Sequence, residues 1–82
     1  MRTHELKIET HYLDDLLSGE KTFELRVNDR NYQKGDKLKF YDTRAELGKP
    51  RYHTFETLSV FSGTPAFGLE KGWVILSLTP TK

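Results

Sequence analysis

The segment LLSGEKTFELRVNDR, residues 16–30, joins the predicted end of a helix to the clearest predicted strand of the chain. Gly19 is placed just past the helix end, where the left-handed conformation favours glycine. From residue 22 to residue 27, apolar and polar side chains alternate as in a strand. One phase contains Phe23, Leu25 and Val27, and the other contains Thr22, Glu24 and Arg26. We expect the apolar phase to pack against the core and the polar phase to point outward.

The polar phase of this strand has two interpretations. Side chains two residues apart on a strand lie about 7 Å apart on one face, so Glu24 and Arg26 are close enough to pair. The turn after Gly19 frees Lys21 to lean over the same face. The three charged side chains are either solvated on an open sheet face, where each pair is worth under about 1 kcal/mol, or they line a groove roofed by the helix and a loop.

The pattern along the rest of the chain predicts a single α+β domain over residues 1–82. A strand over residues 4–8 is followed by a helix with Thr10 as its N-cap, which leaves Asp14 and Asp15 on the solvent face. Further strands are predicted to begin at Leu38, at Tyr52 and at residue 73. The apolar phase changes within residues 52–61, which indicates a β-bulge. About five strands with one helix after the first strand favour a small β-barrel, since closure removes exposed edges.

Composition excludes several classes of site. The chain has no cysteine, so disulfides and thiolate metal sites are excluded. The three histidines, His4, His11 and His53, match no compact metal-binding motif, and we expect no metal and no cofactor. There is no apolar run of the roughly 18 residues that a membrane span needs, and no signal-peptide pattern. We therefore expect a cytoplasmic domain without membrane association.

Basic residues are concentrated in the middle of the chain. Residues 34–51 contain six bases against three acids, whereas the net charge of the whole chain is only +1. This basic segment either forms a positive side of the fold or supplies solvated strand edges, where lysines prevent aggregation. Tyr32, which lies in a loop between Arg30 and Lys34, is the best candidate for stacking on a base. Asn28, Asp29 and Arg30 either lie at the mouth of a groove or form the turn that ends the strand.

Gly19, Lys21, Glu24 and Arg26 reproduce the motif GxKxxExR, in which the sequence resembles ASCH domains of the PUA-like superfamily. Two longer segments, residues 4–36 and residues 68–78, are similar to the small ASCH-like family DUF3850. The likeness extends over nearly the whole chain, and residues 42–51 are its least constrained part. The resemblance implies a PUA-like β-barrel with a cleft between helix and barrel, into which the motif side chains project.

The resemblance also implies a ligand, namely RNA or a modified nucleoside or nucleotide. Lys21 and Arg26 would contact phosphate or a base carbonyl, and Glu24 would accept from an exocyclic amine or position Arg26. The full predicted ligand-binding set is Lys21, Glu24, Arg26, Asn28, Arg30 and Tyr32. The basic segment 34–51 would contribute to binding the backbone.

Two other functions stay open. Some small ASCH proteins remove the acyl group from N4-acetylcytidine with a lysine at the position of Lys21 and a threonine nucleophile three residues later. Here that later position is Glu24, so the catalytic candidates of an amidohydrolase would be Lys21, Thr22 and Glu24, with Glu56 or Glu70 as a downstream glutamate by position only. The remaining alternative is a protein-interaction adaptor that works through the edge of its barrel.

Overall fold

The described part of the chain forms one mixed sheet of five strands with one α-helix. The structure, a computed structural model, describes residues 1–48, 50–63 and 68–81. The strands are β1 (Thr3–Lys7), β2 (Phe23–Val27), β3 (Lys37–Tyr41), β4 (Tyr52–Ser62) and β5 (Trp73–Pro80). Helix α1 (Thr10–Ser18) follows β1, and a 3-10 helix (Thr43–Leu47) lies between β3 and β4. No helix within the described ranges is long and apolar enough to cross a membrane.

The strand order is β1-β3-β4-β5-β2, which places β1 and β2 at opposite edges of the sheet. β1 runs parallel to β3, and every other neighbouring pair is antiparallel. The two edges share no ladder in the described part of the chain, and α1 is the connection between them. The expected small α+β barrel-like fold is therefore confirmed as a half-barrel, open between β1 and β2.

Helix α1 covers the core with Leu13 and Leu16, which are both buried. It ends where expected, because Gly19 takes a left-handed conformation with φ of 85°. The predicted N-cap is wrong by one residue: Glu9 has the extended backbone of the cap, and Thr10 is already helical. Tyr12, on the same helix, stays exposed.

The two longest strands agree with the sequence pattern. The register of β4 against β5 shifts between Thr57 and Ser59, which confirms the bulge. In β5 the alternate residues Val74, Leu76 and Leu78 are buried, as their common phase predicts. They join a core whose other members are Leu6, Leu13, Leu16, Tyr32, Leu38, Phe40 and Phe55.

The orientation predicted for β2 is wrong. Phe23, Leu25 and Val27 are 46%, 47% and 48% exposed, whereas Glu24 is only 7% exposed. The register explains the inversion, because directly opposed residues on neighbouring strands point to the same face. Glu24 is opposite the buried Leu76, and Arg26 is opposite the buried Val74. The polar phase of β2 therefore points to the inside of the half-barrel.

The segment between β3 and β4 is tied to helix α1 through Arg44. Its guanidinium donates two hydrogen bonds to the carboxylate of Asp14, at 3.0 and 2.8 Å, and its Nε donates to Asp42 Oδ1 at 2.9 Å. Asp42 is buried and also accepts from the backbone N–H of Arg44, which caps the 3-10 helix. These bonds from Arg44 hold the pKa of Asp42 at about 2.

Candidate functional site

A cavity of about 700 Å³ opens between the two edges of the sheet. Its walls are the end of β1, one side of α1 and strand β2. This volume lies within the roughly 300–1,000 Å³ that is usual for small-molecule sites. The residues that line it are Lys7, Ile8, Glu9, Tyr12, Asp15, Lys21, Phe23, Glu24, Leu25, Arg26, Val27, Asp29 and Trp73.

The structure brings Lys21, Glu24 and Arg26 together in this cavity. Lys21 Nζ lies 3.1 Å from Glu24 Oε1, and Arg26 Nη1 lies 3.3 Å from Glu24 Oε2. Each carboxylate oxygen therefore holds one cation. The side chains of Lys21, Glu24 and Arg26 are 16%, 9% and 25% exposed, respectively. We call this arrangement the ion cluster; it has one surplus positive charge and is largely removed from bulk water.

Aromatic rings and a main-chain carbonyl surround the ion cluster. Lys21 Nζ lies 4.5 Å from the ring centroid of Tyr12 and 5.4 Å from that of Phe23, within the range of cation–π attraction. Arg26 Nη1 lies 3.5 Å from the carbonyl oxygen of Lys7 at the end of β1, a long contact that spans the gap between the two sheet edges. Residues from β1, α1 and β2 thus position the two cations.

One edge of β2 presents main-chain hydrogen-bonding groups to this gap. The N–H of Leu78 donates to Thr22 O, and the N–H of Asn28 donates to Gly72 O, so the even-numbered residues of this segment bond to β5. In an antiparallel ladder the intervening residues point their N–H and C=O groups to the other side. The N–H and C=O groups of Phe23 and Leu25 therefore point away from β5, to the free edge of β2. No strand of the described residues pairs with this edge. Ligands in the cavity can therefore bond to this edge.

The charges around the cavity are of mixed sign. The lining contains three cations and four carboxylates, the latter being Glu9, Asp15, Glu24 and Asp29. Asp15 was expected on the solvent face of α1, but it turns towards the cavity, and its carbonyl oxygen accepts from the N–H of Lys21 at 3.0 Å. Sequence reasoning missed Asp15 as a lining residue; its position three residues after Tyr12, on the helical face next to Lys21, was the available signal.

The loop residues predicted to bind a ligand are not part of the cavity lining. Tyr32 is 2% exposed and packs edge-on against the His4 ring at 4.8 Å, so its expected role as an exposed stacking surface is wrong. Burial raises the pKa of the Tyr32 hydroxyl, which lacks a hydrogen-bond partner among the described residues. Asn28 Oδ1 accepts a hydrogen bond from the N–H of Tyr32, and this bond closes the turn that ends the strand. Arg30 is exposed, and its carbonyl oxygen accepts from the Arg2 guanidinium.

The additional residues that an amidohydrolase would need are also placed outside the cavity lining. Thr22 is exposed, and neither Glu56 nor Glu70 lines the cavity. Glu56 lies on β4 opposite Lys37, on the outer surface of the half-barrel. Among residues 1–48, 50–63 and 68–81, no group of three His, Cys, Asp or Glu side chains is arranged to hold a metal ion.

A second buried polar group holds the turn before β3. Asp36 is 2% exposed and accepts from His4 Nε2 at 2.8 Å and from the backbone N–H groups of Arg2 and Gln33, both at 3.1 Å. Burial acts to raise the pKa of Asp36, but the bonds from His4, Arg2 and Gln33 outweigh it and hold the pKa at about 2. This group supports the fold, and none of its four residues is part of the cavity lining.

The basic segment 34–51 is partly neutralised by its neighbours. Lys39 lies 3.7 Å from a carboxylate oxygen of Glu5, and Arg44 is bonded to Asp14 and Asp42. Lys49 lies outside the described residues. The described part of this segment therefore offers fewer unpaired cations than its composition indicates.

Comparison with known proteins places the chain in a family. A 37-residue stretch is 46% identical to an uncharacterised 12.9 kDa protein encoded in the GpA 3' region of Escherichia phage P2. The matching stretch covers 45% of this chain and 34% of the phage protein. The crystal structure of the hypothetical protein PH0355 shares the fold, with a TM-score of 0.65 at 18% identity over 99% of this chain and all of that one. Residues 3–78 match the family model described as a domain of unknown function, DUF3850. Because this match extends over nearly the whole sequence, the chain belongs to the DUF3850 family.

Proposed function

We propose that this chain is an RNA- or nucleotide-binding module of the PUA-like, ASCH type, which holds one nucleotide in the cavity. The observation that carries the proposal is the ion cluster, in which two cations and one carboxylate lie largely buried at the wall of an open cavity. Desolvating three charges costs free energy, so a cluster of this kind is more typical of a binding site than of a surface that only supports the fold.

The cluster has hydrogen-bonding capacity that its internal bonds do not use. Lys21 has three N–H donors and Arg26 has five, and each gives one bond to Glu24. The remaining donors suit a base carbonyl or a phosphate, and the carboxylate of Glu24 suits an exocyclic amine. The edge of β2 adds a donor and an acceptor, and the ring of Tyr12 supplies an aromatic wall. A nucleobase carries the carbonyl, amine and aromatic groups that this combination would bind.

The charges in the lining favour a small or single-stranded ligand. Duplex binding depends on many phosphate contacts and the release of counterions. A lining with three cations and four carboxylates repels such a polyanion except at the ion cluster itself. One base with a single phosphate places its negative charge at Lys21 and Arg26 and leaves the acidic residues solvated.

The amidohydrolase interpretation receives less support from the same geometry. Glu24 stands at the position of the threonine nucleophile, so the hydroxyl that would form an acyl-enzyme is absent there, and the carboxylate is instead paired with Lys21 and Arg26. Thr22 is exposed and is not part of the cavity lining, so it is not placed as a nucleophile. A binding module therefore fits the arrangement better than an acyl-transfer enzyme.

The test is an amide NMR titration with cytidine, N4-acetylcytidine and a short single-stranded RNA, in which the ligand signals are followed as well. We expect shifts at Tyr12 and at residues 21–27. Lys21→Ala and Arg26→Ala should each weaken binding by about tenfold or more, the value of one charge-assisted hydrogen bond. Lys71→Ala is the matched control, since Lys71 is exposed, outside the cavity lining and outside the basic segment 34–51.

Each outcome of the titration has a defined meaning, provided that circular dichroism shows each variant folded. Unchanged affinity in both Lys21→Ala and Arg26→Ala contradicts the proposed site. Release of acetate from N4-acetylcytidine that stops in Lys21→Ala would establish the amidohydrolase instead. If no amide responds to any ligand, the nucleotide proposal fails and a protein-interaction adaptor becomes the leading function.

A further inference from the structure

The outer surface of the sheet is divided into two chemically different halves. On the side of β1 and β3 it is charged: Glu5 is opposite Lys39, and Lys37 is opposite Glu56 of β4. Beyond the bulge in β4 the outward positions change character. On the second part of β4, on β5 and on β2 they are Ser59, Phe61, Trp73, Ile75, Ser77, Phe23, Leu25 and Val27. We call these eight positions the apolar outer face.

The strand register arranges these side chains as a continuous patch. Ser59, Ser77 and Phe23 form one row across the three strands, and Phe61, Ile75 and Leu25 form the next. Trp73 and Val27 form a third row. The hydroxyls of Ser59 and Ser77 bond to each other at 2.9 Å. None of the eight positions is charged, although 30% of the chain is, so the patch differs from an ordinary solvated surface.

The patch exposes a substantial apolar area. Phe23, Leu25, Val27 and Phe61 are 46% to 49% exposed. Each Phe therefore presents on the order of 100 Å² of its surface, since an aromatic side chain can bury about 150–250 Å². The whole face exposes roughly 400 Å², which is within the range of the largest patches on monomeric proteins. Two such faces would bury about 800 Å² of apolar surface, and because about 65% of a homodimer interface is apolar, a polar rim brings the total close to the roughly 1,200 Å² at which stable interfaces begin.

The chemistry of the face distinguishes between possible occupants. Sheet surfaces that bind single-stranded nucleic acid combine aromatic rings with cations that follow the phosphates, and the eight positions include no Lys or Arg. A partner with a charged surface would likewise find no complementary charge here. A second copy of the same face has no such requirement, because two uncharged apolar surfaces meet across a two-fold axis without like charges in opposition.

We propose that the apolar outer face is the interface of a homodimer, in which two copies pack these faces together across a two-fold axis. The contact is of the sheet-on-sheet type, in which side chains from the facing surfaces of two sheets interdigitate. Phe23, Leu25, Val27 and Trp73 belong both to this face and to the cavity lining. The partner subunit would therefore lie along one rim of the cavity, while the ion cluster on the inner side of β2 stays outside the interface.

The experiment is sedimentation equilibrium over a wide concentration range, with and without substitutions on the face. The unmodified protein should show a concentration-dependent monomer–dimer equilibrium. Leu25→Lys and Phe61→Lys should each weaken the dimer by about tenfold or more, since each places a charge in an apolar contact. Leu47→Lys is the matched control, because Leu47 is an exposed leucine on the 3-10 helix, away from the face.

An NMR dilution series of the unmodified protein keeps the test independent of how well the variants fold. Amide shifts that change with concentration at residues 23–27, 59–61 and 73–77 support the proposal. A protein that stays monomeric throughout overturns it, as does a dimer that Leu25→Lys and Phe61→Lys leave intact. Specific binding of a different protein to this face by a monomeric chain would also overturn it.

Discussion

Replacing Asp36 with asparagine tests how much the buried carboxylate stabilises the fold. Its pKa of about 2 in the folded state lies below the ordinary value of 3.8. A depressed pKa contributes stability that is fully present above 3.8 and is lost as the pH falls towards 2. The difference corresponds to about 2.5 kcal/mol of the free energy of unfolding. Asp36→Asn should therefore lower the free energy of unfolding by about this amount at neutral pH. The loss is larger if the NH₂ group of the asparagine faces the donors of His4, Arg2 or Gln33, because an NH₂ group cannot accept their hydrogen bonds.

The assay is urea denaturation of both proteins at a series of pH values from neutral down to about pH 2. The stability difference between them should shrink steadily as the pH falls through 3.8 towards 2, because a protonated Asp36 and an asparagine at the same position both lack the charge that the donors favour. Asp29→Asn is the control, since Asp29 is exposed. A difference for Asp36→Asn that does not change with pH would refute the reasoning.

Two further substitutions test other parts of the structure. Gly63→Ala should destabilise the protein by about 2 kcal/mol or more, because a Cβ there would clash with the backbone carbonyl of Glu70; a midpoint in urea equal to that of the exposed-site control Thr22→Ala would contradict this close approach. Arg44→Ala should speed amide hydrogen exchange at residues 43–48 by removing the bonds to Asp14 and Asp42. Arg44→Lys should not restore protection, since lysine cannot make the bidentate contact. Arg51→Ala is the control, and equal exchange rates in Arg44→Ala and Arg51→Ala would show that Arg44 does not hold this segment.

Much of the fold follows from local patterns in the sequence. Gly19 ends the helix because its left-handed conformation suits glycine, and the phase change in residues 52–61 corresponds to the bulge in β4. The spacing of Lys21, Glu24 and Arg26 also placed the three charges together correctly. These features depend on neighbours within a few residues, which the sequence displays directly.

The errors concern features that depend on distant partners. Alternation in residues 22–27 shows which side chains share a face, but the face that points inward is decided by β5, about fifty positions later, where Leu76 opposes Glu24. Apolarity indicated the wrong side because Lys21 and Arg26 neutralise the buried Glu24. Tyr32 was misplaced for a similar reason, since its burial depends on packing against His4 at the start of the chain.

The pairing of β2 with β5 alone has a consequence for how the cavity comes into existence. Leu25 meets Ile75 across fifty positions of sequence, one of the longest loop closures in this sheet. While the chain is being synthesised, β2 has no strand to pair with until β5 has emerged. Its alternating Phe, Leu and Val side chains are then available to chaperones or to other nascent chains. The wall that carries Lys21, Glu24 and Arg26 is thus completed late, so binding of the proposed nucleotide would report that the entire sheet has assembled.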